Sequence, residues 1–309
     1  MGNTLSSKLT ATCLGLTLAM TAALNAAESN APASVDAAFI EEVGGSERIN
    51  FAGKLRMLSQ RVPAAACYRH AYVESEKSSA LLEAATAEFD QILKALEYGD
   101  ESLGIIGPEK DRRVLADFKI IHDHWDHLHP EIVDIIDNGG TDAEVVDLAN
   151  ASKLLLEDAK VLVVEIVAEY ADPTALLQAD AITIDIAGRQ RMLAQRISKN
   201  FCLVASGLNV ETAMKDLAGS REMYEASANA LRFGMPAAGL SATENPVIIE
   251  GLDKVLADWA SVQAILDQAA PGASIAKEDQ VVIYNIMNSL TGQMNTLVGI
   301  YTEDSKLGL

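Results

Sequence analysis

Aromatic residues are scarce: Phe, Trp and Tyr together make up 5% of the 309 residues, and proline occurs only 8 times. Sheets draw on aromatic and β-branched pairs and on frequent turns, so this poverty argues against a β-sandwich or barrel. The 3 cysteines exclude a disulfide-dense scaffold. No Cys-x-x-Cys-His supports covalent haem, and no Glu-x-x-His pair supports a di-iron centre. A glycine-rich phosphate loop, a Ser-His-Asp order and a zinc-protease motif are also missing, so no cofactor is expected and the chain does not read as an enzyme. Positive charge is short as well: 24 Lys and Arg stand against 44 Asp and Glu, a formal net charge of -20. Such a chain repels nucleic acid and anionic membranes. Beyond the first residues no stretch stays apolar for the ~20 positions a membrane helix needs.

What is present is helix-forming. Hydrophobic residues reach 49%, carried by Ala, Leu, Ile and Val, with Glu prominent among the charged residues. Residues 1–27 read as a signal peptide: Lys8, an apolar stretch from Leu9 to Leu24, then Asn25-Ala26-Ala27 before Glu28. Cys13 lies inside that stretch with no lipobox before it. The expectation is export to the periplasm.

The chain repeats itself. Ala52-Gly53-Lys54-Leu55-Arg56-Met57-Leu58-Ser59-Gln60-Arg61 returns 135 residues later as Ala187-Gly188-Arg189-Gln190-Arg191-Met192-Leu193-Ala194-Gln195-Arg196, with seven of ten positions identical. At the same offset Asn50 meets Asp185, Cys67 meets Cys202, and Gly99 meets Gly234; Trp125 meets Trp259 after a slip of one. Breakers divide each copy into four helices: Val35–Val73, Ser78–Tyr98, Glu109–Asp137 and Thr141–Tyr170, then Thr174–Ser206, Val210–Phe233, Pro246–Gln268 and Ser274–Thr302. Asp172-Pro173 supplies an N-cap and a proline at the first helical position, where a new helix starts. The expected fold is all-α: two tandem antiparallel four-helix bundles, spanning 28–171 and 172–309.

Turning the first helix at 100° per residue separates two stripes. Phe51, Leu55, Leu58 and Val62 read as bundle core, while Ile49, Ala52, Gly53, Arg56, Gln60 and Cys67 share the other face. Its counterpart holds Ile184, Ala187, Gly188, Arg191, Gln195 and Cys202. Small residues beside an arginine suit the close approach of another helix. Arg61 and Arg196 lie well round the helix, so the two arginines of one copy cannot share a target. The alternative is structural: Met57 and Leu58 as core, the arginines pairing with abundant acids.

The run Ile49 to Arg61 resembles the first periplasmic helix of nitrate/nitrite sensor kinases and, equally, the N-terminal domain of type IV pilus methyl-accepting chemotaxis transducers. The resemblance implies a periplasmic four-helix bundle that dimerises through this helix. It implies one small oxyanion, nitrate or nitrite, held between two such helices by Arg56 and Arg191, with backbone near Gly53 and Gly188 close to the ligand. Asn50, Gln60, Arg61, Asp185, Gln195 and Arg196 are expected in support. Gln60 departs from the aromatic usual in nitrate sensors and matches the pilus transducers. Without flanking membrane helices or an output region, this sequence is expected to need a partner, a membrane receptor or another periplasmic protein, to pass a signal on. On this reading the two copies form a pseudo-dimer within one chain.

Two side expectations accompany this reading. If the two first helices run parallel and cross at ~20°, Cys67 and Cys202 come within disulfide range in an oxidising compartment, against the alternative of two free thiols. Pro63 is expected to kink the first helix and to oppose that bond. Separately, His122, Asp123, His124, Asp126, His127 and His129 crowd one segment, with spacings that suit zinc, copper or nickel. A solvated polar face is the competing reading, and the second copy has no such cluster. His70 stands alone.

Overall fold

The computed structural model describes residues 35–171 and 178–307. The expected signal peptide and the Asp172-Pro173 link lie outside the described residues. Helices account for nearly all of the rest, and no strand occurs among the described residues.

The first bundle comprises α1 (Val35–His70), α2 (Ser75–Tyr98), α3 (Arg112–Trp125), α4 (His129–Asn138) and α5 (Asp142–Tyr170). The second comprises α6 (Gln178–Ala205), α7 (Val210–Phe233), α8 (Pro246–Ser261), the short α9 (Gln263–Leu266) and α10 (Lys277–Leu307). Helix starts follow local chemistry. Thr141 and Glu144 form a reciprocal capping box on α5, and Asp111 accepts from the amides of Arg113 and Val114 on α3. Asn245 caps α8 with Pro246 at its first position. The third helix of the first copy, expected to be continuous from Glu109 to Asp137, is instead broken by a 3-10 turn over Asp126–Leu128. Pro130 supplies the reason: it has no N–H to bond back, so it fits only the first turn of a new helix. Pro63 does not end α1, which runs unbroken through it.

The duplication reaches into the turns. Gly99 and Gly234 end α2 and α7 at φ 87° and 81°, each amide bonding back to an alanine carbonyl, Ala95 and Ala230. A side chain at Gly99 would meet the carbonyl oxygen of Gly107 at 2.8 Å, so this turn requires glycine on two counts. Bridges Asp100–Ile105 and Met235–Leu240 follow at the same offset. Phe89 stacks on Trp125 with ring centroids 4.1 Å apart, and its counterpart Tyr224 packs on Trp259 at 4.5 Å. These pairs centre the two cores.

The bundles lie side by side along α1 and α6. α1 packs against α2 and α5 of its own copy and α6 of the other, so from Ala52 to Tyr68 it is buried on nearly every face. The seam keeps equal register at both ends: Gly53 and Arg56 lie beside Gly188 and Arg191, and Cys67 bonds Cys202, all 135 residues apart. Equal register at two points along both helices means that α1 and α6 run parallel about a local pseudo-two-fold axis.

Candidate anion-binding site

The two glycines leave open the space into which the arginines fold. A Cβ placed on Gly53 would stand 3.6 Å from Arg56 Nη2 and 3.9 Å from Arg191 Nη2. A Cβ on Gly188 would stand 3.5 Å from Arg191 Nη2 and 3.9 Å from Arg56 Nη2. Both guanidinium groups therefore fold into one small space over paired glycine backbones.

Their remaining contacts differ. Arg56 Nη1 donates to Asp185 Oδ1 of the other copy at 3.0 Å, and Arg189 shares that carboxylate. Arg191 is 3% exposed; its Nε donates to the Gly188 carbonyl at 3.3 Å and its Nη1 to Asn295 Oδ1 on α10 at 2.7 Å. Neither Nη2 has an acceptor among the described residues. Burial, and then the like charge of Arg56, lower the Arg191 pKa to about 10, which still leaves it protonated at neutral pH. Two cations facing each other with idle N–H donors suit a compact anion, which relieves their repulsion and accepts charge-assisted hydrogen bonds from both.

The expected supporting residues separate into groups. Asp185 belongs to the site through Arg56, whereas Asn50 at the matching position is exposed. Gln60 and Gln195 are buried in the bundle interior. Gln60 donates to the Ser152 carbonyl at 3.0 Å, and Gln195 donates to Asn288 Oδ1 at 3.1 Å and Thr291 Oγ1 at 2.8 Å. Arg61 and Arg196 point elsewhere. Arg196 donates to Asp216 Oδ1 at 3.3 Å, and Arg61 Nε is buried without an acceptor among the described residues. Asn295 was not foreseen: α10 carries polar residues along its whole length, Asn285 and Asn288 among them, so nothing in the sequence singles it out.

At the other end of the seam, Cys67 and Cys202 are bonded, with S–S 2.09 Å, and both are fully buried. The four histidines expected as an alternative metal site do not converge. His122 faces Glu97, His124 binds Asp158 at 2.6 Å, His127 meets the Asp123 carbonyl, and His129 faces Asp90. Among the described residues no three His, Cys, Asp or Glu side chains are placed to hold a metal. Each imidazole instead takes its own partner: a carboxylate on α2 for His122 and His129, one on α5 for His124, and a carbonyl of α3 for His127. His70 bonds the Gly139 carbonyl and Asp142.

Residues 40–151 and 174–283 each match PilJ, the N-terminal domain of type IV pili methyl-accepting chemotaxis transducers. The chain is also similar to methyl-accepting chemotaxis protein McpN of Pseudomonas aeruginosa, 32% identical over 118 residues. That match covers 38% of this chain and 21% of the relative, so the chain spans about a fifth of that protein's length. No helix among the described residues is long and apolar enough to cross a membrane. With two matched segments that fold as two bundles joined along their motif helices, this chain belongs to the PilJ family of chemotaxis-transducer sensory domains.

Proposed function

We propose that the chain is an exported periplasmic sensory protein, not an enzyme, that binds one small planar oxyanion, nitrate or nitrite, between Arg56 and Arg191. The observation carrying this reading is the convergence of both Nη2 groups over Gly53 and Gly188. A trigonal anion there accepts from each guanidinium in the plane, as carboxylates do. Its binding draws the two first helices together at the glycine end, and a membrane receptor or other periplasmic partner reads the change. The domain division falls between Ala171 and Asp172, so each module contributes one half of a shared site.

One observation favours a second reading, an interaction protein with no small ligand. Asp185 already neutralises Arg56 from across the seam. Thermal unfolding of the chain from Glu28 onward separates the two. A ligand at about 100 times its dissociation constant stabilises by about 2.7 kcal/mol, several degrees for modules of this size. The sensor reading predicts a nitrate or nitrite shift larger than that of chloride at matched ionic strength, abolished by Arg56→Ala or Arg191→Ala. Equal shifts for all anions, unchanged by either substitution, would leave the interaction reading.

A further inference from the structure

Lys199 is a buried cation that the Arg56–Arg191 site does not use. It sits on α6, 1% exposed, and reaches across the seam to Gln60 Oε1 at 2.8 Å and Ser152 Oγ at 2.9 Å. Both partners are neutral, and an ammonium has a third N–H. Beside it, between α5, α6 and α7, lies a cavity of about 10 Å³ lined by Lys153, Lys199, Asn200, Asn209, Thr212 and Asp216. Asn200, also 1% exposed, presents an Nδ2 with no hydrogen-bond partner among the described residues.

The sister repeat shows what was put there. At the 135-residue offset Lys199, Asn200 and Asp216 stand where the first copy has Ala64, Ala65 and Leu81. That seam closes with alanines buried to 3% and 0% exposure, so packing alone does not require a polar set. The Asp216 carboxylate is shared by Lys153 Nζ at 2.8 Å and Arg196 Nη2 at 3.3 Å, two cations to one anion. Lys199 adds a third positive charge with no carboxylate of its own. Burying an ammonium without a counter-charge is costly, and a guest anion offsets that cost. At about 10 Å³ the cavity is at the lower limit for one water, so a chloride, which is broader than water, enters only with small outward shifts of the lining side chains, and polyatomic anions fit worse.

We propose that this pocket is a second anion site that takes a single monatomic anion of the chloride class, held by Lys199 and the Asn200 amide. Asp216 lies on the same wall and opposes the anion, but it is outnumbered by Lys153, Arg196 and Lys199. Burial first, and then Arg196, lower the Lys199 pKa to about 7, with Asp216 raising it and Lys153 lowering it further. The proton that Lys199 gains below that value strengthens the halide site. Both donors belong to α6, and Lys153 of α5 lines the same pocket, so the anion sits where the two modules meet.

Chloride-35 NMR line broadening tests this, with the Arg56→Ala/Arg191→Ala chain as background so that the first site cannot contribute. Excess broadening is expected to saturate with chloride, to be larger at pH 6 than at pH 8.5, and to weaken about tenfold or more on losing one charge-assisted hydrogen bond. Lys199→Met and Asn200→Leu should each remove it, with circular dichroism confirming the helical fold; should Lys199→Met not fold, Asn200→Leu decides alone. No excess broadening in the background chain, or broadening that Asn200→Leu leaves intact, means that the cavity holds water only and overturns the proposal.

Discussion

The two ends of the α1–α6 seam use the same helices in opposite ways. At the cysteine end the helices are joined covalently through a dry contact. At the glycine end two like charges face each other with donors to spare. One end fixes register, and the other is left electrostatically unfinished. A sensor that must keep its two halves together while responding to a small ligand needs both. The bond removes the freedom of the copies to separate, so on the proposed reading the binding energy of an anion would go into geometry at the far end rather than into assembling the pair.

Breaking the fixed end carries the largest expected effect. The bond closes a separation of 135 residues, and losing a bond of this kind costs about 2–5 kcal/mol. Cys67→Ser with Cys202→Ser is expected to lower Tm by several degrees under non-reducing conditions, with no further loss on adding a thiol reductant. A wild-type chain insensitive to the same reductant, yet showing two free thiols by mass spectrometry, would remove this contrast between the ends.

Lys199 gives the next largest effect. Its folded pKa of about 7 lies below the ordinary lysine value of 10.5, so between those values the unfolded chain binds more protons and stability rises with pH. The penalty is complete below pH 7 and gone above about pH 10.5. In halide-free buffer Lys199→Met is therefore expected to raise Tm, most at pH 6 and least at pH 10, as read by calorimetry across that range. A uniform change at all pH values would mean that Lys199 keeps an ordinary pKa.

The glycines sharpen the comparison at smaller scale. An alanine in a helix gains about 0.5–1 kcal/mol over glycine, and a Cβ on Gly188 has only ordinary contacts, the nearest at 3.5 Å. Gly188→Ala should thus stabilise the ligand-free chain slightly while occupying the space between the guanidinium groups. The expected result is a small rise in Tm together with a reduced nitrate shift. The smallest effect belongs to Asn50→Asp, which gives the exposed position of the first copy the acid of Asp185 and should change the unfolding free energy by no more than about 0.5 kcal/mol, as read by denaturant titration.

Much of this architecture was legible in sequence because a duplication is its own control. Val210–Phe233 could be bounded from its flanking breakers, and the matched offset of Arg56 with Arg191 and of Cys67 with Cys202 meant that parallel helices in register would bring both pairs together. The break at Asp126 could have been read from Pro130, and the histidine spacings reconsidered with it. Periodicity on α1 placed Gly53, Arg56, Gln60 and Cys67 on the face that meets the other copy, but left their partners open for a physical reason. The helix is enclosed by α2, α5 and α6, so both of its stripes are buried, and a 100° wheel does not say which neighbour each one meets. Gln60 accepts from Lys199 across the seam and Gln195 bonds to α10, and both lie away from the glycines. Lys199 was missed because the comparison looked for what the copies share, whereas its signal is a difference, lysine against Ala64.

Isothermal titration of the chain from Glu28 onward with nitrate tests the central claim most directly, because a site shared by two modules fixes a stoichiometry. The account predicts one nitrate per chain, with heat lost in both Arg56→Ala and Arg191→Ala. Two nitrates per chain, each lost with only one arginine, would contradict it by giving every module its own site. No heat in the wild-type chain would contradict the anion reading itself.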